Sequence, residues 1–348
     1  MKELLITGAW RCGEQQVQAL EQMGYAVTFW PDERQAVNMD TQRFEAVICG
    51  GLFLTTPIER FPALKCIQVT SAGLDRVPLD YCKAHGITVY NAGGVYSAPM
   101  AEFVLGGILQ LYKESKFFAE NQAAHRWEKH RGLRELSGKT ACIIGTGSVG
   151  SAIARRLRAF DVQTVGINRS GHPAAEFDQT QPTCRLDDLL PLADLVSCAM
   201  PLTAETAGLF DSVRLAKIKP GAVFVNVARG KVTDQQALVE ALQSGQLSGA
   251  VLDVFEEEPL PRSSPLWDME QVILTPHNSF VGEHNGERLF RLFCKNLESF
   301  AQLRYCLLLL CVAISANFTC LLFGNWYAGA AGLKRRSRTI PPTNPVWI

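Results

Sequence analysis

The stretch Lys139–Ser170, KTACIIGTGSVGSAIARRLRAFDVQTVGINRS, decides how the rest of the chain is read. Thr140–Ile144 is a short apolar run of the kind that forms a strand buried in a parallel sheet. It stops at Gly145-Thr146-Gly147-Ser148-Val149-Gly150, a G-x-G-x-x-G. A helical pattern follows, in which Val149, Ile153, Ala154, Leu157 and Phe160 recur at three- and four-residue spacing with arginines on the other face. Val162–Ile167 then reads as a second strand. Gly145 allows the tight turn, Gly147 lets the backbone approach a pyrophosphate, and Gly150 lets the helix pack close to the strand. The first turn of the helix has unsatisfied N–H groups and the positive end of the dipole, both suited to phosphate. Glycine turns are common, so the motif alone is weak. Its place after a strand, before a helix and inside a unit of ~30 residues makes dinucleotide binding the better reading.

Around this unit, 348 residues are too many for one typical core and imply two domains. A hydrophobic content of 47% describes a folded chain rather than a disordered one. A formal net charge of +0 leaves no electrostatic case for nucleic acid or an anionic membrane. The 11 cysteines follow no C-x-x-C or regular framework. Cys49, Cys66, Cys142 and Cys198 lie in apolar runs, where they read as small buried hydrophobes. The histidines form no H-E-x-x-H, so no metal is expected. Met1-Lys2-Glu3 leads straight into a strand, and a reducing cytoplasm is the expected location.

Before the glycine motif, Leu4–Thr7, Tyr25–Trp30, Ala46–Cys49, Cys66–Thr70 and Ile87–Tyr90 read as strands. Gly13–Met23 and Leu74–His85 read as helices, the second closed by Gly86. That alternation predicts a small α/β domain with a parallel sheet. Pro99 opens an expected long helix, Met100–Ala123, at a hinge between the halves, and Trp127 is an expected buried anchor. After Lys139, strands are expected near Leu195–Ala199, Ala222–Val227, Gly249–Val254 and Val272–Leu274. Helices are expected near Asp187–Ala193, Asp211–Ile218 and Asp234–Ser244, with Asp234 as an N-cap.

Ligands of an open α/β sheet bind beyond the carboxyl ends of its strands. Three candidates fall there: Arg229 after the run Phe224–Ala228, Glu258 after Asp253-Val254-Phe255, and His277 after Ile273–Pro276. Each alone has a bland reading, as a surface ion pair, a solvated glutamate or a loop histidine. Together they suit hydride transfer to a 2-oxo acid. Arginine can hold a carboxylate and polarise a carbonyl. Histidine can exchange the alcohol proton near neutral pH, and a neighbouring carboxylate orients it and favours its protonated form.

Seven segments carry a family resemblance over roughly residues 40–302: Ser71–Asp75, Met100–Glu102, the glycine loop, Met200–Thr203, Asn226–Gly230, Asp253–Pro259 and Thr275–His277. The chain resembles the D-isomer-specific 2-hydroxyacid dehydrogenases, the group of phosphoglycerate, glyoxylate/hydroxypyruvate and D-lactate dehydrogenases. The resemblance implies an α/β protein of two domains: a Rossmann-type doubly wound parallel sheet, residues 99–275, inserted in a smaller flavodoxin-like substrate domain, residues 1–98 plus 276–303. It implies that Arg229 binds substrate, that His277 is the acid/base and that Glu258 is its partner. It further implies that backbone groups at Ala72 and Gly73 hold the substrate carboxylate, that Asp253 contacts the nicotinamide amide, that Pro201 lies at the cofactor, and that the protein is a homodimer. A second reading, a nucleotide-sensing corepressor on the same scaffold, remains beside it.

Cofactor choice follows from the end of the second strand of the unit, where an acidic residue would bind the ribose 2′-hydroxyl of NAD. Asn168, Arg169 and Ser170 stand there instead. Asparagine removes the repulsion against a 2′-phosphate and Arg169 can pair with one, so NADP is preferred to NAD. The match ends after Gln302. Tyr305–Gly332 has no charged residue, and Lys334, Arg335, Arg336 and Arg338 follow. The apolar length qualifies as a membrane span, but the basic cluster opposes the positive-inside tendency. A replaced, frameshifted terminus is the preferred reading of 304–348, with an anchor or a folded segment as the alternatives.

Overall fold

Short apolar runs bounded by turns become parallel strands, and the amphipathic stretches between them become the covering helices. The structure is a computed structural model that describes residues 1–300; the tail 304–348 and Gln302 lie outside the described residues. In chain order the first part contains β1 (Lys2–Thr7), α1 (Glu14–Gln22), β2 (Tyr25–Trp30), β3 (Ala46–Cys49), β4 (Cys66–Val69), α2 (Leu79–Ala84) and β5 (Thr88–Tyr90). These strands form one sheet in the order β2-β1-β3-β4-β5. That is the flavodoxin-like order, and every pairing is parallel. Its core contains Leu5, Phe44, Val47, Ile67 and Val69.

The helices α3 (Ser97–Tyr112) and α4 (Ser115–Ala123) lead to the second sheet. There β6 (Thr140–Ile144), α5 (Ser148–Arg158), β7 (Gln163–Asn168), β8 (Gln179–Pro182), α6 (Leu186–Leu189), β9 (Leu195–Cys198), α7 (Ser212–Lys217), β10 (Ala222–Asn226), α8 (Gln235–Gln243), β11 (Leu247–Leu252) and β12 (Val272–Leu274) follow one another. The strand order is β12-β11-β10-β9-β6-β7-β8, so the direction of winding reverses between β6 and β9. The glycine motif leaves β6 at that switch point, where doubly wound sheets bind ligands. Both faces are covered. Phe210, Phe224, Leu238 and Leu252 fill one side, and Val104, Ile108, Ile153, Val225 and Val251 fill the other. Each such side chain, fully buried, contributes about 1.5–3 kcal/mol of hydrophobic stabilisation. α3 lies close enough to this sheet that a Cβ on Gly107 would meet the Val251 side chain at 2.5 Å.

Residues 285–297, α9, return the chain to the first sheet. Leu289, Phe293 and Leu297 are buried, and Phe290 and Phe293 pack on Trp10 with ring centroids 6.0 and 5.0 Å away. Asn296 Nδ2 also donates to Gln68 Oε1 at 2.7 Å. Both sheets and α9 belong to one unit, Met1–Leu297.

Several expectations need correction. The long helix is broken: α3 ends at Tyr112, and Glu114 adopts φ 50°, which reverses the chain before α4. Trp127 is not a buried anchor, being 95% exposed. The helix expected from Leu74 starts only at Leu79, because Leu74–Pro78 forms a turn and Pro78 precedes the first helical residue. Phe160 falls past the end of α5 and is 40% exposed. The edge strand β8 escaped notice because Gln179-Thr180-Gln181-Pro182 carries no apolar pattern. Asp234 does cap α8, accepting from Ala237 N at 3.0 Å, and Asp211 caps α7 in the same way at 2.8 Å.

Candidate active site

At the end of β6, Gly145 turns with φ 108°, and a Cβ there would stand 2.6 Å from the Ala199 carbonyl oxygen. A Cβ on Gly150 would overlap the Gly145 carbonyl oxygen, so only glycine lets α5 begin this close to the strand. Gly147 is the extended N-cap of α5; no side chain caps the helix, and nothing lies within 4 Å of where its Cβ would be. Open space therefore meets the uncapped N–H groups of Ser148, Val149 and Gly150, which fits a pyrophosphate. Thr146 is tied to the next strand, since its Oγ1 accepts from Asn168 Nδ2 at 3.1 Å. Val149 packs on the core below.

Asn168 has a structural task that residue type alone did not reveal. Its Nδ2 also donates to the His172 carbonyl at 2.9 Å, and its Oδ1 accepts from Gly171 N at 2.7 Å. The carboxamide thus holds the loop 168–172 closed, and Arg169 and Ser170 are left exposed on it. Ser170 Oγ lies 3.1 Å from His172 Nδ1, which adds an imidazole that the sequence reading did not name. The turn starting at Pro201 carries Glu205, whose carboxyl Thr203 holds below its usual range, and which also feels the charge of Arg169.

On the other side of the switch point, Asn226 Oδ1 accepts from Ala228 N and its Nδ2 donates to the Arg229 carbonyl, which shapes the turn that carries Arg229. The guanidinium donates to the Ala228 carbonyl through Nη1 at 2.8 Å, and Nη2 lies 3.6 Å from Asp75 Oδ1. A Cβ on Gly73 would stand 2.5 Å from the same Nη2. Arg229 therefore reaches from the second sheet to the loop after β4. In that loop Ala72 O accepts from Asn91 Nδ2 and Gly73 O accepts from Ser71 Oγ. Among the described residues, no backbone hydrogen bond uses the Ala72 or Gly73 N–H.

His277 Nδ1 lies 2.8 Å from Glu258 Oε2. A carboxylate only accepts, so Nδ1 is the donor and Nε2 is left to exchange a proton. Glu258 is fixed in turn, its Oε1 accepting from Phe255 N at 3.1 Å. Asp253 has a structural task here as well. It is 1% exposed, and its carboxylate accepts from Thr275 Oγ1, Asn278 N and Ser279 N. Its own carbonyl accepts from His277 N. Asp253 thus fastens the histidine loop, with His277 at φ 51°.

From the imidazole a chain of ring contacts runs to the end of β4. Phe280 stands edge-on to His277 and to Tyr96, and the Tyr96 hydroxyl donates to the Thr70 carbonyl. A second unforeseen support is Glu33, whose carboxylate accepts from Thr7 Oγ1, Gly50 N and Gly51 N and so ties down the loop after β3.

A glycine turn at the switch point, with an arginine and a carboxylate-paired imidazole on the loops that leave β10 and β12, suits a dinucleotide-dependent oxidoreductase. The family model described as D-isomer specific 2-hydroxyacid dehydrogenase, NAD binding domain, matches residues 105–279, and the chain belongs to that family. A glyoxylate reductase of Thermofilum pendens is 35% identical over 280 residues, covering 77% of this chain and 81% of that one. Among solved structures, a D-isomer specific 2-hydroxyacid dehydrogenase from Xanthobacter autotrophicus Py2, in complex with NADPH and MES, has a TM-score of 0.71 at 28% identity, covering 86% of this chain and 95% of that one. D-lactate dehydrogenase from Aquifex aeolicus, complexed with NAD and lactic acid, has a TM-score of 0.70 at 26% identity, again covering 86% and 95%. The protein is an NAD(P)-dependent oxidoreductase acting between CH–OH and C=O.

Proposed function

We propose that this chain reduces a 2-oxo acid to the D-2-hydroxy acid, with Arg229, Glu258 and His277 as its reactive constellation. The observation that carries the reading is the His277–Glu258 pair, an imidazole whose Nδ1 is held by a carboxylate, in a chain whose Arg229 guanidinium reaches the loop after β4. The bound dihydronicotinamide supplies the hydride that the substrate's C2 receives. Arg229 holds the 2-oxo acid and polarises its carbonyl, and the Ala72 and Gly73 N–H groups bind the carboxylate. As C2 gains the hydride, the C=O electron pair moves to oxygen, which takes a proton from His277 Nε2. Glu258 keeps Nδ1 protonated and the ring in place. Fixing the carboxylate at one end and the carbonyl at the other presents one face of C2, which sets the stereochemistry. In this reading residues 1–98 with 276–303 form the substrate domain and 99–275 the cofactor domain.

We assign NADP as the preferred cofactor, with Arg169 and Ser170 at the 2′-phosphate. Arg169→Ala lowers kcat/KM with NADPH by about 10- to 100-fold, the usual worth of a charge-assisted hydrogen bond, and changes that with NADH by less than about threefold. Steady-state oxidation of both cofactors with a panel of 2-oxo acids is the test. Equal losses with both would remove Arg169 from the phosphate site, and no oxidation with any acid would remove the function.

A homodimer is supported by the exposed Phe118, Trp127 and Leu133, all on the segment after α3. Light scattering is expected to give twice the chain mass, and Trp127→Glu to shift it toward the single-chain value. The buried thiols of Cys49, Cys66, Cys142 and Cys198, all pushed up by burial, fit a reducing cytoplasm.

A further inference from the structure

We propose that the group carried on C2 of the substrate is apolar, a branched or aromatic hydrocarbon rather than the hydrogen of glyoxylate or the hydroxymethyl of hydroxypyruvate. The inference rests on the reduction reading above and names the substrate class of that same site.

Rings link the acid/base to the end of β4, just before the carboxylate-binding loop. Phe280 meets the His277 imidazole edge-on, centroids 6.2 Å apart at 83°, and meets Tyr96 at 5.7 Å and 85°. Its position is set by the bonds that fix His277, since the neighbouring Ser279 N donates to both Asp253 oxygens. Tyr96 adds ring surface but no free hydroxyl, because its O–H is given to the Thr70 carbonyl, one residue before Ser71–Gly73. The strip from imidazole to loop therefore offers carbon. Phe280 is 41% exposed and Val281 55% exposed, so neither serves mainly to fill a core.

The loop after β3 adds Leu54, 68% exposed. Its Cδ1 and the Arg76 Cδ come within 3.4 and 3.8 Å of a Cβ built on Gly51, so Leu54 stands beside the Ser71–Arg76 segment, held there by Glu33. Asp75, next to Arg229, opposes a second anionic group on the substrate. A hydrocarbon side chain lying on Phe280 would cover surface that water now wets, and the exposed Leu54 beside Arg76 offers more carbon on the side of the Ser71–Arg76 segment. A pocket of this kind discriminates by roughly 10-fold or more per methylene group.

The test is the kcat/KM of the full chain, with NADPH and with NADH, for 4-methyl-2-oxopentanoate, phenylpyruvate, glyoxylate, hydroxypyruvate and 2-oxoglutarate. The two apolar acids are expected to exceed the other three by at least about 10-fold. Phe280→Ser is expected to raise KM for the apolar acids about 10-fold more than KM for glyoxylate, whatever loss of kcat the altered support of His277 imposes on all of them. Phe280→Leu restores most of the loss. Preference for glyoxylate, hydroxypyruvate or 2-oxoglutarate, or an equal loss with every acid in Phe280→Ser, overturns the inference and leaves the reductase standing. Failure to reduce any acid overturns both.

Discussion

Replacing His277 with alanine lowers kcat by about 10²–10⁴-fold, the usual contribution of a positioned general acid, while cofactor affinity is unchanged. The reason is local. His277 Nδ1 is taken up by Glu258 at 2.8 Å, so the ring has one nitrogen for the substrate oxygen, while the other imidazole of this loop, His284, is paired with Glu283. The glycine turn that holds the cofactor comes from β6, a different strand, and does not depend on this side chain. Position 277 has φ 51°, a left-handed conformation that strains alanine but that asparagine adopts readily. His277→Asn therefore removes the proton donor with little backbone cost, and the same loss of kcat is expected. Steady-state kinetics with cofactor titration is the check; turnover near that of the parent in either variant would remove His277 from the reaction.

Arg229→Ala is expected to lower kcat/KM by about 10²–10³-fold, through both KM for the 2-oxo acid and kcat, because in the proposed reaction one planar group binds the substrate and polarises its carbonyl. Arg229→Lys recovers only part of this. An ammonium is a single point of charge and cannot span two acceptors as the fork does. The fold should tolerate the change, since Asn226 shapes the turn through backbone contacts and the Arg229 side chain is 39% exposed. A defect confined to cofactor KM would place Arg229 at the dinucleotide instead.

The strands of both sheets were legible because a parallel strand covered on two faces must be almost wholly apolar. Tyr25–Trp30, Ala46–Cys49 and Val272–Leu274 came out with the limits expected of them. The polar edge strand β8 was not legible, having one side open to water and no need of that pattern. The helix break at Glu114 was invisible for a related reason: residues 100–123 keep a continuous helical pattern, and nothing local forbids the helix from running on. Trp127 shows the limit of composition, since a large ring in a charged stretch reads as an anchor until its surroundings are known.

The sequence by itself determined the parallel α/β class, the glycine turn and the chemical types at the crevice, because backbone sterics, strand burial and side-chain ionisation are properties of short stretches. Tertiary structure alone decided what those side chains touch. It turned Asn168 and Asp253 into fasteners of loops, recruited Glu33 and His172, and set Phe280 against His277 and Tyr96. Such contacts join residues tens to hundreds of positions apart, and hydrogen-bond partners at that range follow from how two sheets and their loops pack, which no local pattern encodes.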